Sequence, residues 1–102
     1  MTVRERNIQL PMAEIEAFCR RHPIKKLSLF GSVLRDDFGN GSDVDVLVEL
    51  IPTARVGLFK FMDMQFELEK IIGHTVDLRT IENFPERLRE HVASTAECLY
   101  VR

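Results

Sequence analysis

The sequence predicts an α+β fold in which helices pack on one face of a small mixed β-sheet. Segments with strand character alternate with helical segments along the chain, and the most regular strand has a valine face and an acidic face. The chain has 102 residues, of which 45% are hydrophobic and 29% are charged, so it can form one modest core. We therefore expect residues 1–102 to be a single domain.

A helix and a strand are predicted near the start of the chain. Pro11 precedes residues 12–19, whose apolar side chains recur at helical spacing, and Pro23 ends this helix. Residues 24–30 alternate as the residues of a short strand do, and a polar stretch containing glycine follows them. A turn is expected in that stretch near Gly39-Asn40-Gly41.

The second strand, residues 43–50, is the most informative element of the first half. A strand points successive side chains to opposite faces. One face would carry Val44, Val46 and Val48, and the other would carry Asp43, Asp45, Leu47 and Glu49. Because the valines favour contact with helices, the acidic residues are expected to face an open groove.

Two helices and a strand are predicted in the second half. The first helix spans residues 58–72 and ends at Gly73, which is typical of a helix C-cap. Residues 74–79 form the third strand. The last helix begins at about Pro85, within Asn83-Phe84-Pro85-Glu86, where an asparagine cap has a glutamate three positions on. Residues 97–101 fit either a final strand or a continued helix, and the sequence leaves this open.

The apolar sector of the 58–72 helix covers more than half of its circumference. Phe59 and Phe66 lie near the margin of this sector. Two interpretations are equally weighted: a surface left for a partner protein, or a helix buried by other elements of the same chain. Gln65 and Glu69 fall inside the sector, one turn apart, and are poor core residues. We expect both to face either the groove or the partner.

The acidic residues of the second strand suggest a metal site. Asp43 and Asp45 point to the same face, about 6.5–7 Å apart along the chain. Because adjacent carboxylates repel, a proton or a divalent cation must lie between them, and their oxygens favour Mg²⁺ or Mn²⁺ over zinc. Asp77 adds a third acid in the next predicted strand. Strands are depleted in aspartate, so this pattern argues against ordinary strand-edge charges.

Gly31 and Ser32 follow the first strand and open the polar segment. A glycine there lets an anion approach backbone N–H groups, and the serine hydroxyl can donate to the same oxygen. Alone, Gly-Ser after a strand is more often an ordinary turn. Followed by Asp43 and Asp45, it offers what phosphoryl or nucleotidyl transfer needs: one element for the phosphates and another for the cations that bridge them.

Composition and charge argue against several other classes. No apolar run approaches the ~20 residues of a membrane span, and no apolar segment follows the first residues as it does in a secretory signal. We expect a cytoplasmic protein. The formal net charge of −2 gives poor support for direct binding of nucleic acid. Cys19 and Cys98 lack the spacing of a metal clip or a redox pair and are expected to be core thiols.

The pattern of glycine, serine and acids resembles the signature of the nucleotidyltransferases related to DNA polymerase β. Gly31-Ser32 is followed after ten residues by Asp43-Val44-Asp45. The run 42–48 and the later Val76-Asp77-Leu78 are similar to the minimal nucleotidyltransferase (MNT) branch. The resemblance covers nearly the whole chain and implies the DNA polymerase β-like nucleotidyltransferase fold.

The resemblance also implies roles for individual residues. The Gly31-Ser32 turn would hold the phosphates of ATP, Asp43 and Asp45 would bind two Mg²⁺ ions, and Asp77 would join the metal site and activate the attacking hydroxyl. The nucleotide-binding residues expected are Gly31, Ser32, Arg35 and Ser42. After the arginine this chain has Asp36, where the family often has glycine.

Minimal members of this branch are commonly encoded beside a HEPN-domain ribonuclease, as the antitoxin of a toxin–antitoxin pair. Several are thought to transfer AMP from ATP to a tyrosine of the toxin. The resemblance therefore implies an antitoxin that forms a hetero-oligomer with a HEPN toxin and modifies it. A catalytically vestigial module that neutralises the toxin by occlusion is the main alternative. A transferase for a small hydroxylated molecule, such as an aminoglycoside, is a third, although the chain leaves no room for an acceptor domain.

Overall fold

The computed structural model describes residues 3–39 and 41–102. Its elements are α1 (Val3–Asn7), α2 (Met12–Arg21), β1 (Ile24–Phe30), β2 (Val44–Leu50), α3 (Leu58–Ile72), β3 (Val76–Arg79), α4 (Glu86–Thr95) and β4 (Glu97–Val101), with short 3-10 turns at Gly31–Leu34 and Ile81–Asn83. None of the helices in these two ranges is long and apolar enough to cross a membrane. The predicted turn includes Asn40, which lies outside the described residues; beside it, the Ser42 N–H donates to the Gly39 carbonyl.

The four strands form a mixed sheet in the order β3-β2-β1-β4. β1 is antiparallel to both of its neighbours, whereas β2 and β3 are parallel. A parallel pair needs a long crossover connection, and α3 lies in that connection. The predicted α+β fold with a small mixed sheet is confirmed.

One face of the sheet packs against α2 and α3. The valine face of β2 is buried as predicted, with Val44, Val46 and Val48 at most 1% exposed. The buried residues that the two helices add are Ile15, Phe18, Cys19, Met64, Leu68 and Ile72. Since full burial of one such apolar side chain contributes about 1.5–3 kcal/mol, this layer holds the helices on the valine face. The acidic face of β2 points away from these two helices.

The structure contains a short helix near the start of the chain and a strand near its end. α1 was not predicted, because a five-residue helix is too short to show a periodic pattern. It is tied to the sheet by Arg4, whose Nε donates to Glu97 Oε2 at 2.7 Å. Residues 97–101, which the sequence left open, form β4 and pair with β1.

The residues before α4 differ from the expected cap. α4 begins at Glu86 with Pro85 at its N-cap position, and no side chain caps it. Asn83 belongs to the preceding 3-10 turn instead, where its Oδ1 accepts a hydrogen bond of 3.0 Å from the Thr80 N–H. The predicted role of Asn83 was therefore wrong, because asparagine side chains readily bond the nearest backbone group.

Gln65 and Glu69 cover the open edge of β3. The Leu78 N–H donates to Gln65 Oε1 at 3.3 Å, and the Val76 N–H donates to Glu69 Oε2 at 2.9 Å. β3 is an edge strand whose outward N–H groups would otherwise have no strand partner. The prediction that these two side chains face the groove was wrong, because both bond to the sheet edge; their contact with a partner stays a prediction.

The N-terminal part of α3 exposes apolar side chains. Leu58 and Phe59 are 72% and 83% exposed, and Met62 and Phe66 are 41% and 49% exposed. We call these four residues the α3 apolar face. The interpretation that the chain itself buries the whole apolar sector of this helix is wrong for these residues, and their use as a partner surface stays a prediction.

The two cysteines have different environments. Cys19 is buried, as predicted, and burial raises the pKa of its thiol from 9.0 to about 11. Cys98 is exposed. The prediction of a core thiol was wrong for Cys98, because it lies in an edge strand and such a strand turns part of its side chains to solvent.

Candidate active site

The acidic residues of β2 and β3 meet on the face of the sheet opposite the valines. Asp45 and Asp77 are register partners on neighbouring parallel strands, which lie about 4.8 Å apart in any sheet. Asp43 immediately precedes β2 and is exposed, and its charge still acts on Asp45. The structure thus pairs Asp45 with Asp77 and leaves Asp43 at the start of the strand.

Gly31 lies directly against Asp45. It has a φ of +75°, and a Cβ atom at this position would lie 2.2 Å from Asp45 Oδ2. The backbone N–H of the next residue, Ser32, donates a hydrogen bond to the Asp45 carboxylate. Glycine therefore meets two requirements here, a left-handed conformation and a close approach to a carboxylate. The turn after β1 and the acids of β2 are parts of one site.

The surroundings of Asp45 disfavour its ionised form. Burial raises the pKa of this carboxyl most, followed by the negative charges of Asp77 and Asp43. The Ser32 N–H and the Arg79 guanidinium oppose this rise without cancelling it. A cation close to this carboxyl group would stabilise its ionised form.

Arg79 is a residue of the site that the sequence analysis missed. Its Nε donates a hydrogen bond of 3.1 Å to Asp77 Oδ2, and its Nη2 lies 3.0 Å from the same oxygen as an ion pair; this bond and the charge of Asp77 raise the pKa of the guanidinium. The guanidinium carbon lies 5.7 Å from the centre of the Phe84 ring, and this ring meets Phe30 edge to face at 5.3 Å. The signal was available, because a two-residue spacing places Asp77 and Arg79 on the same strand face.

The other two predicted nucleotide-binding residues bond within the loop between the turn and Asp43. Arg35 is exposed, and its Nε donates to Asp37 Oδ1 at 3.1 Å. The Ser42 hydroxyl accepts a hydrogen bond of 3.1 Å from the Gly39 N–H. Their assignment to the nucleotide stays a prediction.

α1 fastens the turn that carries Gly31 and Ser32. The Asn7 side-chain amide donates to the carbonyl oxygens of Val33 at 3.0 Å and Arg35 at 2.8 Å. Next to it, Arg6 Nη2 donates to Asp36 Oδ1 at 2.8 Å. Asp36 stands where the family often has glycine after the arginine. In this structure the side chain of Asp36 forms an ion pair with Arg6. No pattern in the sequence could have predicted these contacts.

The donor chemistry of the site fits Mg²⁺. Carboxylate oxygens are the ligands this ion prefers, and the repulsion between Asp45 and Asp77 is what a divalent cation relieves. Asp77 is bonded to Arg79, and across residues 3–39 and 41–102 no three histidine, cysteine or acidic side chains already stand in a metal-binding arrangement. A cation bound here would therefore compete with Arg79 for Asp77.

Comparison with known sequences gives one family match and several relatives. A profile described as the nucleotidyltransferase domain matches residues 13–99. MJ0435 of Methanocaldococcus jannaschii, named a candidate protein adenylyltransferase, is 30% identical over 76 residues, which cover 74% of this chain and 80% of that protein. The protein adenylyltransferase MntA of Thermococcus cleftensis is 33% identical over 79 residues, or 68% of this chain and 76% of its own length.

Solved structures share the fold. A candidate minimal nucleotidyltransferase is 28% identical, with a TM-score of 0.70 over 94% of each chain. A chain from a toxin–antitoxin complex with AMP-PNP is 19% identical, with a TM-score of 0.72 over 91% of this chain and 75% of that one. A chain from the complex of a tri-AMPylated Shewanella oneidensis HEPN toxin with an MNT antitoxin is 18% identical, with a TM-score of 0.64 over 97% and 73%. The last two likenesses concern the fold alone.

Proposed function

This chain belongs to the nucleotidyltransferase domain family, and from that premise we propose that it transfers AMP from ATP to a hydroxyl group of a partner protein. The observation that carries the proposal is the register pairing of Asp45 with Asp77 beside the turn at Gly31. An element for phosphates and an element for cations then lie on one face, as nucleotidyl transfer requires.

In this proposal the turn binds the phosphates of ATP and the acidic residues bind the cations. The Ser32 N–H already donates to Asp45, so the Ser32 hydroxyl is the donor of this residue left for a phosphate oxygen. Arg35 and Ser42 join it when the nucleotide breaks their contacts within the loop. Asp43, Asp45 and Asp77 would hold two Mg²⁺ ions. When bound, Mg²⁺ neutralises the phosphate oxygens and the charge that develops on the leaving group.

The transfer is an in-line displacement at the α-phosphorus of ATP. The acceptor oxygen forms a bond to this phosphorus, the bond from phosphorus to the bridging oxygen breaks, and pyrophosphate leaves with that electron pair. Asp77 takes the hydroxyl proton or aligns the oxygen. Both Arg79 contacts go to Asp77 Oδ2; a cation that displaced Arg79 would take this oxygen and leave Oδ1 for the hydroxyl.

The partner in this proposal is a HEPN-domain toxin, modified on a tyrosine in the cytoplasm and held in a hetero-oligomer. Three observations support it: the name of the Thermococcus cleftensis relative, the fold shared with toxin–antitoxin complexes, and the exposed α3 apolar face. This chain would then act as the antitoxin, because AMP on the toxin blocks its ribonuclease activity.

The proposal is tested with ATP labelled at the α-phosphate. Wild-type protein, Mg²⁺ and the product of the adjacent gene are incubated together, and we expect label on that product. Asp43→Asn and Asp45→Asn should abolish labelling, whereas Asp63→Asn, a matched change at an exposed position of α3, should not. Failure of the wild type to transfer label while it binds ATP would overturn the enzymatic proposal.

Occlusion of the toxin is a second candidate function. The exposed α3 apolar face favours it, because binding through a surface of this kind needs no chemistry. The two proposals differ in cells that express the toxin. Transfer predicts that Asp43→Asn no longer protects these cells, whereas occlusion predicts that it still does.

A further inference from the structure

A groove crosses the open face of the sheet beyond the acidic residues. Its volume is about 360 Å³, and its lining includes Lys26 and Ser28 of β1, Leu47 and Glu49 of β2, and Ala93 and Ala96 at the end of α4. Ser28 is the buried polar residue among the described residues and is 3% exposed. Neither Asp45 nor Asp77 lines this groove.

The groove begins one step along the strands from the acids. Leu47 follows Asp45 by two residues and so lies on the same face of β2. Asp45 pairs with Phe30, whereas Leu47 pairs with Ser28. The acids therefore lie between the Gly31 turn, at the end of β1, and the groove, which extends toward the opposite end of that strand.

In-line geometry assigns the two sides of the acids to different reactants. In a displacement at phosphorus, the attacking and leaving oxygens lie roughly opposite each other. If pyrophosphate leaves from the turn at Gly31, the acceptor oxygen approaches from the other side of the acids. That side is the groove.

The walls of the groove suit a peptide better than a polyphosphate. Glu49 and Glu82 outnumber Lys26 among its charged lining residues and so disfavour a polyphosphate, whereas Leu47, Ile51 and Ile81 offer apolar contacts. The Ser28 hydroxyl can bond a backbone or side-chain polar group. A volume of about 360 Å³ is near the lower limit of the ligand pockets found in proteins and has room for a few side chains.

We propose that this groove binds the segment of the acceptor protein that flanks the modified hydroxyl. The inference rests on the proposed function and deepens it. The acceptor segment lies over β1 and β2 with its apolar side chains between Leu47 and the C-terminal end of α4, and its hydroxyl reaches Asp77. Selection of the acceptor site is then a property of this groove.

The test fills the groove without touching the acids. Ala93 lines the groove but is itself exposed, so Ala93→Trp should fold normally; Ala17→Trp, on the exposed side of α2, is the matched control. We expect Ala93→Trp to lower kcat/KM for the acceptor protein roughly tenfold or more, as blocking a central contact does. Its affinity for a fluorescent ATP analogue and its melting temperature should match those of Ala17→Trp.

The outcomes separate this inference from the proposed function. If the wild type labels no protein, both are overturned. If the wild type labels the acceptor and Ala93→Trp labels it equally well, the groove alone is overturned. Loss of ATP-analogue binding by Ala93→Trp would assign the groove to the nucleotide and also overturn the inference.

A cross-linking measurement reports contact rather than rate. A benzophenone side chain at position 93 should cross-link to the acceptor protein, and mass spectrometry should map the link within a few residues of the AMP-modified hydroxyl. The same group at position 17 should give no such link. Equal links from both positions, or none from position 93, would contradict the inference.

Discussion

The ionised form of Asp45 is less favourable in the folded protein than in the unfolded chain. Because the folded state raises its pKa, the protonated form is favoured in the fold. The stability that this provides is present below the unfolded value of 3.8 and is lost as the pH rises through the folded pKa. At neutral pH the ionised Asp45 therefore destabilises the metal-free protein.

Asp45→Asn should raise the melting temperature of the metal-free protein at pH 7, because it removes this charge and keeps an oxygen for the Ser32 N–H. We expect an increase of a few degrees, since ~1 kcal/mol corresponds to roughly 4–8 °C for a domain of this size. Calorimetry should show that the difference shrinks toward pH 4, and that Mg²⁺ stabilises the wild type more than the variant. An equal gain from Asp63→Asn, the exposed control, would contradict the explanation.

Gly31 can be tested with two other glycines of the same chain as controls. Gly73 also has a positive φ, +79°, but a Cβ there meets nothing within 4 Å, and Gly57 has neither the positive φ nor a close neighbour. Gly73→Ala should cost about 1 kcal/mol of backbone strain. Gly57→Ala should cost no more than about 1 kcal/mol, from the weaker N-cap of α3, and Gly31→Ala clearly more, with loss of activity. Equal melting temperatures for the Gly31 and Gly73 variants would show that contact with Asp45 is unimportant.

At the scale of elements, α1 holds the turn at Gly31–Leu34 in place although it lies far from it in sequence. Asn7 donates to two carbonyl groups that flank the turn, those of Val33 and Arg35. Removal of these bonds should loosen the turn without moving the acids, which belong to the sheet. Asn7 is thus a positioning residue in the proposed reaction.

Asn7→Ala should raise the KM for ATP several-fold with a smaller effect on kcat, and should cost about 1 kcal/mol of stability, as loss of a hydrogen bond commonly does. Hydrogen exchange should be faster at the Arg35 N–H, which bonds to Ser32 within the turn. Gln9→Ala, at a nearby exposed position, is the control. A change in kcat alone, with the exchange rate unaltered, would argue against a positioning role.

The elements that sequence patterns predicted are those whose physical causes are local. β2 alternates valine with acid, and α3 combines a long apolar pattern with a C-cap at Gly73 whose φ is +79°, so both were predicted correctly. α1 and the hydrogen bonds of Gln65 and Glu69 depend on distant segments, namely the turn after β1 and the edge of β3. No local pattern encodes such contacts, and they had to be read from the structure.

The same division applies to the candidate site. Asp45 and Asp77 could be predicted because aspartate is unusual in a strand. Their pairing needed the strand order, which placed β3 beside β2 in parallel register. Arg79 was missed although its two-residue spacing from Asp77 places it on the same strand face. The groove beyond Leu47 was missed because it depends on how α4 and the 3-10 turn before it cover the open face.

At the scale of the whole molecule, the groove and the α3 apolar face lie on different elements and can be tested separately. The α3 apolar face begins at Leu58 and Phe59, which contact mostly water. Substitution there should leave folding intact, since exposed positions away from special features change stability by about 0.5 kcal/mol or less. Any effect on complex formation then reports contact with the partner.

Leu58→Ser combined with Phe59→Ser should keep the melting temperature of the wild type and weaken binding to the acceptor protein. The reason is that exposed apolar side chains make the free energy of binding more favourable when a partner removes them from water. Affinity is measured by calorimetric titration with the acceptor, and Lys60→Ser on the polar side of the same helix is the control. Because the groove is untouched, transfer at saturating acceptor should keep its kcat. Unchanged affinity would show that the partner binds elsewhere, and a large fall in melting temperature would show that these side chains support the fold.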